Sequence, residues 1–336
     1  MPITFFKNTG TSFVLANATS GISQHSGWWN SLVSGDFDDD GDVDYVAGNL
    51  GLNSNYQATV SEPMTLYAKD LDANGSLDAM LFCYMKGEDG KRKPFPMHTR
   101  DDLSSQLVSI RKTYPTYKSY GLAAMDDFWT VKNRQNAIRK TATELRTSYI
   151  ENKGNGKFGL RALSTVAQAS PVYGMMSEDV DGDGNLDLLL VGNDFGMEPY
   201  SGRHDAFNGL ALKGDGKGSF SEMPLKETGF FVKGDAKGFA KVHTAKGEDI
   251  WIATQNLDSI IVHARPAFYT AANAKWITVK GDDFYADITY TDGKRRRVEF
   301  YYGSTYLSQS TRKLFIDNGV TKITVTNYRG QKREVL

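Results

Sequence analysis

Cysteine is almost absent from the chain, which carries one, at position 83. No internal disulfide can form, and Cys83 lies in the apolar run Met80 to Tyr84, where it reads as a buried core thiol. Prolines number 9 in 336 residues, against 33 glycines and 12% aromatic side chains. That balance excludes a disordered chain and describes a globular, turn-rich one, long enough for one large or two smaller domains. Neither sign of charge dominates, since 39 Lys and Arg face 40 Asp and Glu for a net charge of -1. No global field draws such a chain to nucleic acid, so no nucleic-acid partner is expected. No apolar run is long enough to span a bilayer, and the opening MPITFFKNTG lacks the basic start and long apolar centre of a signal peptide. The five histidines, His25, His98, His204, His243 and His263, are scattered. HExxH, GxSxG and a phosphate-cradling glycine loop are all missing, so no catalytic residue is assigned.

What the chain has instead is an acidic turn written three times. Ser34 to Leu52 reads SGDFDDDGDVDYVAGNLGL, Lys69 to Phe82 reads KDLDANGSLDAMLF, and Glu178 to Gly192 reads EDVDGDGNLDLLLVG. Oxygens at alternate positions of a short loop converge on one point, and a glycine lets the chain fold back over it. The first set is Asp36, Asp38, Asp40 and Asp44, the second Asp70, Asp72, Asn74 and Asp78, and the third Asp179, Asp181, Asp183 and Asp187. Such cages suit a hard cation. Calcium fits better than magnesium because it accepts 6–8 oxygens in irregular geometry, so the backbone carbonyls of Asp42, Ser76 and Asn185, with water, complete each shell. Up to three calcium ions are therefore expected. An isolated Asp-Gly run is an ordinary turn former; three copies at one spacing argue against coincidence.

The residues after each loop discriminate among calcium folds. An EF-hand needs Glu at loop position 12 and then a helix, but that position holds Ala47, Leu81 and Leu190. The runs that follow, YVAG, AMLF and LLLV, read as buried strands. These loops resemble those of FG-GAP or VCBS repeats, which build the β-propellers of integrin α-subunit heads and many bacterial surface proteins. The stretches GWWNSLVSGDFDDDGDVDYVAGNLGLNSNY, LYAKDLDANGSLDAMLFCY, TSYIENKGNGKFGLRAL and SGRHDAFNGLALKGDGKGSF resemble VCBS-repeat proteins of Bacteroidota. DITYTDGKRRRVEFYYGSTYLSQSTRKLFIDNG is similar to the ASPIC/UnbV domain that often follows such repeats. The resemblance implies an all-β protein: a calcium-binding β-propeller over 1–265, partial or with few blades, carrying a helical insertion at about 101–146, and then a small β domain over 266–336. It also implies a bacterial cell-surface setting, extracellular or at the outer membrane, and a place beside an outer-membrane transporter in nutrient uptake. In that family the opening segment lies deep inside a longer protein, so the chain is expected to be a fragment of one.

Taken in order, ITFFKNTGTSFVLA reads as a hairpin, the outer half of a blade. Trp28 and Trp29 offer either a sugar-stacking platform or, more in keeping with large aromatics, a wedge between neighbouring sheets. The second acidic loop belongs either to its own sheet or to the outer half of the first, since 34 residues from Asp36 to Asp70 is short for a full blade. Beyond Lys86 the β pattern stops, and Leu103, Leu107, Ile110 and Tyr114 recur at helical spacing behind Asp101 and Asp102. NRQNAIRKTATEL continues in helical style. Tyr114, Tyr117, Tyr120, Phe128 and Trp129 of this insertion either anchor it or line a ligand site. Strand-and-turn spacing returns at Ser148. Asp215 marks a hairpin tip, Gly229 to Arg265 a blade that has kept only Asp235 of the loop, and Lys294 to Arg297 either a polyanion patch or, more in keeping with the alternation there, a solvated strand end and hairpin tip. The function expected is a non-catalytic module binding a glycan or protein, with Trp28, Trp29, Tyr117, Tyr120 and Trp129 as ligand-binding candidates. A propeller-type polysaccharide lyase or hydrolase and a purely structural scaffold are the alternatives.

Overall fold

The run Leu188–Val191 has four consecutive apolar side chains to bury, and an extended strand does this only when both of its faces are covered. In the computed structural model, which describes residues 1–246, 248–264, 275–316 and 319–336, the strand Asp187–Gly192 meets that demand. Leu188 and Leu190 enter one core with Val33, Val46, Tyr149, Val172 and Leu212. Leu189 and Val191 enter another with Val180, Phe230, Phe239 and Trp251. The strand thus belongs to the middle layer of three.

Those layers are antiparallel sheets following one another along the chain. The first contains Ser31–Gly35, Asp44–Gly48, Ser148–Asn152 and Phe158–Ala162. Val172–Glu178, Asp187–Gly192, Leu210–Gly214 and Phe220–Glu222 make the second, and Ala236–His243, Asp249–Gln255 and Asp258–Ala264 the three-stranded third. The leading strand of each sheet packs against that of the next. Close approach depends on missing side chains: a Cβ at Gly48 would lie 2.6 Å from the Val172 carbonyl, and one at Gly174 2.6 Å from Cβ of Phe239. Glu178 ties the second sheet to the third, accepting from Lys241 Nζ at 3.0 Å and from Trp251 Nε1 at 3.2 Å.

The second acidic loop sits outside this row. Between the second and third strands of the first sheet, the chain makes a separate sheet in the order Arg92–Pro96, Asp78–Lys86, Met64–Lys69, Ile138–Ala142. The short gap between the first two loops follows from this insertion: Ser148–Asn152 and Phe158–Ala162 join the first sheet about a hundred residues after Asp44–Gly48. Tyr67, Met80 and Phe82 on one face meet the helices, while Met64 and Cys83 on the other pack with Leu50, Tyr56 and Leu145. Cys83 is buried, as its apolar setting predicts, and burial raises its thiol pKa.

The helical part is short, running from Arg100–Gln106 to Val131–Arg134. Leu103, Leu107 and Ile110 are buried as their spacing predicts, although an extended Leu107 splits the segment into Arg100–Gln106 and Ser109–Thr113. Thr99 and Asp102 form a capping box, each side chain accepting the other's backbone N–H at 3.2 Å. Ile138–Ala142, expected to be helical, is a strand antiparallel to Met64–Ala68. Its apolar residues lack a helical stripe, and the open edge of the inserted sheet supplies backbone partners.

In the C-terminal part, Arg295–Glu299, Asp283–Tyr290, Val320–Asn327 and Lys332–Glu334 form one sheet and Lys275–Thr278 with Lys313–Ile316 another, around Ala286, Ile288, Leu314, Ile323 and Val325. The boundary expected at 265/266 lies outside the described residues. From this unit a strap of residues 303–311 crosses to the leading strands of the second and third sheets. Thr305 Oγ1 accepts the Met175 N–H at 3.2 Å, Ser308 Oγ that of Phe239 at 2.9 Å, and Ser310 Oγ that of Lys241 at 3.0 Å. The opening hairpin pairs Phe6–Asn8 with Phe13–Leu15 and stays exposed. The protein is thus mostly β, in seven sheets among the described residues, none closed on itself.

Candidate metal loops and ligand cleft

All three acidic loops turn in the same way. Three residues after the first acid the backbone takes positive φ, at Asp39 (60°), Ala73 (61°) and Gly182 (82°), and two residues later again at Gly41 (92°), Gly75 (89°) and Gly184 (87°). The first acid accepts the backbone N–H of the glycine five residues on, Asp36 from Gly41 at 3.2 Å, Asp70 from Gly75 at 2.9 Å and Asp179 from Gly184 at 3.0 Å. The last acid reaches back to the residue after the first, Asp44 to Phe37 N–H, Asp78 to Leu71 N–H and Asp187 to Val180 N–H, at 3.2, 2.8 and 2.7 Å. One spacing therefore produces one fold of the backbone three times.

The side chains that converge differ from loop to loop. Carboxylate oxygens of Asp36, Asp38 and Asp40 lie within 4.8 Å of one another, as do those of Asp70, Asp72 and Asp78, and those of Asp179, Asp181 and Asp187. Asp44 is not among them; its carboxylate accepts from Tyr149 Oη and the Asn152 N–H, both at 2.8 Å, and from the Phe37 N–H. At the third position of each loop Asp40, Asn74 and Asp183 accept the N–H two residues on, from Asp42, Ser76 and Asn185. Asp42 and Ser76 are exposed, and their expected part is through backbone carbonyls alone.

Whether these residues fit a cation is decided by oxygens left without donors. Asp36 is fully buried, and its Oδ1 has no hydrogen-bond partner; the same holds for Oδ1 of Asp38 and of the buried Asp78. Burial pushes the Asp36 carboxyl up to about 7, with repulsion from Asp39 adding to it and Arg296 opposing. Asp38 is raised to about 6 by burial and then by Asp44 and Asp40. A divalent ion would answer both the orphaned oxygens and the crowded charge. The first and second loops therefore fit a metal by the chemistry of their donors.

The third loop already contains a cation. Lys213 Nζ donates to Asp181 and lies 2.7 Å from Asp183 Oδ2, and both Asp187 oxygens are engaged, Oδ1 by the Gly214 N–H at 2.8 Å. Burial raises Asp187 to about 6. For Asp183 burial is outweighed by Lys213 and the Asn185 N–H, which hold its carboxyl below the usual value.

A second set of cations comes from the C-terminal unit and corrects the reading of Lys294 to Arg297 as a solvated strand end. Lys294 Nζ sits 2.6 Å from Asp39 Oδ2, and Arg296, only 5% exposed, donates to Asp39 Oδ1 at 3.2 Å and to the Gly184 carbonyl at 2.6 Å. The hairpin thus bridges the first and third loops. Nothing local in the sequence singles out Lys213, Tyr149 or Arg296, since each acts on residues 30 to 260 positions away.

The aromatic candidates part company. Trp129 is 0% exposed, stacks on Tyr67 at 5.2 Å and donates Nε1 to the Met80 sulfur, so it is an anchor with no face left for a ligand. Trp28 packs edge-on against Tyr56 at 5.1 Å, whereas Trp29 joins the cluster around Ile22, Ala47 and Ile150. The two rings lie in separate clusters and make no shared platform. Tyr114 and Phe128 pack in the helical core. Tyr117 and Tyr120, by contrast, line a cleft of about 820 Å³ between the helices, the Met85–Phe95 hairpin and Tyr200. Tyr120 is buried and donates to the His98 carbonyl at 2.7 Å; Tyr117 and Tyr200 are 66% and 63% exposed. Nothing local in the sequence brings Tyr200 and Lys86 to this cleft, since they lie 114 positions apart.

No protein-family model matches the chain, and neither does any curated protein.

Proposed function

We propose that the protein is a non-catalytic, calcium-stabilised β-propeller-type module of a bacterial cell-surface protein, which displays a binding surface for a glycan or protein ligand beside an outer-membrane uptake system. The observation that carries the reading is the recurrent loop with orphaned carboxylate oxygens at Asp36, Asp38 and Asp78. Face-to-face packing of successive four- and three-stranded sheets along their leading strands supports a wheel-like arrangement, with the strap 303–311 laid along its inner strands. The resemblance to FG-GAP and VCBS repeats and to an ASPIC/UnbV domain supplies the surface setting.

Calcium in this reading is structural: it binds the folded loops and not the unfolded chain, and so stabilises by mass action. At a concentration 100 times the dissociation constant one site contributes about 2.7 kcal/mol. The test is a melting curve in calcium and in chelator. A rise of several degrees in calcium is expected, with about half of it lost in Asp38→Ala because the second loop still binds; identical curves with and without chelator would falsify the metal assignment.

A further inference from the structure

The cleft beside the helical insertion has a composition that narrows its ligand. Tyr117 is exposed yet fixed, its hydroxyl donating to Asp101 at 2.6 Å and the Arg100 guanidinium lying 5.5 Å from its ring centroid. Arg100 is held in turn by the Tyr114 carbonyl at 2.7 Å. Tyr200, from the loop between Asp187–Gly192 and Leu210–Gly214, also lines the cleft. An aromatic ring immobilised in this way offers a flat apolar surface with little ordering cost, which suits the apolar face of a sugar.

The charges around these rings are uneven. Lys93 is neutralised by Asp89 at 2.7 Å. Lys86 and Lys118 are exposed and make no ion pair among the described residues, and one free acid, Glu88, shares the lining. On a chain of net charge -1, two uncommitted ammonium groups flanking two displayed tyrosines are a local reversal of sign. A polynucleotide would need a longer run of cations to track its backbone. Glu88 is instead suited to accept from hydroxyl groups.

We propose that this cleft binds an acidic saccharide, its sugar faces stacked on Tyr117 and Tyr200 and its carboxylate or sulfate groups paired with Lys86 and Lys118. The inference rests on the reading of the protein as a surface binding module and names the ligand class. The test uses the full chain in calcium, titrated calorimetrically with oligogalacturonate, with a sulfated oligosaccharide, with a neutral cello-oligosaccharide and with a single-stranded RNA oligomer. Binding of one or both acidic sugars is expected, at least tenfold tighter than the neutral one and weakening with added salt; the uronate and sulfate arms tell which anion is taken. Tyr117→Ala and the double variant Lys86→Gln/Lys118→Gln should each lose tenfold or more with an unchanged melting temperature, and Lys118→Arg should retain binding. Equal affinity for neutral and acidic sugars, preference for RNA, or variants that bind like the parent overturns the proposal. If calcium leaves the melting curve unmoved while acidic sugars still bind here, the metal reading fails and this one stands. If calcium stabilises but these variants change nothing, this one fails alone.

Discussion

At the scale of single residues, the same nine-position spacing gives three loops with different charge states, because neighbours from far along the chain finish each one. Asp44 accepts from Tyr149 and Asn152, while its counterpart Asp78 keeps an oxygen free. Lys213 occupies the third loop as a tethered ammonium. An attached cation competes with a free one for the same carboxylates, so the third loop should bind calcium more weakly than the first two. Replacing Lys213 by Met should raise the number of calcium ions bound at low micromolar calcium by one, measured by calorimetry. An unchanged stoichiometry and affinity in Lys213→Met would show that the lysine is a bystander. The acidic positions were legible in the sequence; which oxygen points inward was not, since hydrogen-bond donors 27 to 108 residues away decide it.

Among elements, the informative contacts are those where one sheet meets the next. Gly174 has no room for a methyl group, with Phe239 Cβ at 2.6 Å and the Lys237 carbonyl at 3.1 Å. Neither neighbour is the free end of a flexible side chain, so the sheets themselves would have to separate. Gly174→Ala should therefore cost about 1–3 kcal/mol, as overpacked cores do, read as a lower urea midpoint with the slope unchanged. A neutral result would mean that the second and third sheets are not held this closely in solution. The same glycine stands within the strand Val172–Glu178, and only the partner sheet explains why a residue that weakens strands is placed there. Ile138–Ala142 makes the complementary point, as its helical reading yielded to a vacant sheet edge.

At the scale of the whole molecule, two of the contacts that join the C-terminal unit to the rest among the described residues are unlike in character. One is the hydroxyl-rich strap, whose Thr305, Ser308 and Ser310 side chains accept from the leading strands. The other is the basic hairpin on Asp39 and Gly184. Arg296 is buried there, so truncating it strands Asp39 and the Gly184 carbonyl with fewer donors. Lys294→Ala/Arg296→Ala should speed amide exchange in 283–299 and along the strap while leaving the second sheet's Asp187–Gly192 protected. Uniform loss of protection throughout would instead mean that the molecule unfolds as one unit. Because the hairpin touches residues inside two of the acidic loops, chelation is expected to loosen the same segments in the unaltered chain if the first loop holds calcium.

The sequence by itself determined the three acidic turns, the strands that follow them, the buried thiol and the apolar stripe of the first helices, because each depends on residues within one turn or one strand. Tertiary structure alone decided that the second loop belongs to an inserted sheet, that Trp129 is an anchor while Tyr117 is displayed, and that Lys294 and Arg296 close over Asp39 and the Gly184 carbonyl instead of meeting water. Those outcomes depend on long-range pairing, where burial and charge compensation are settled by surfaces that no local pattern of residues describes.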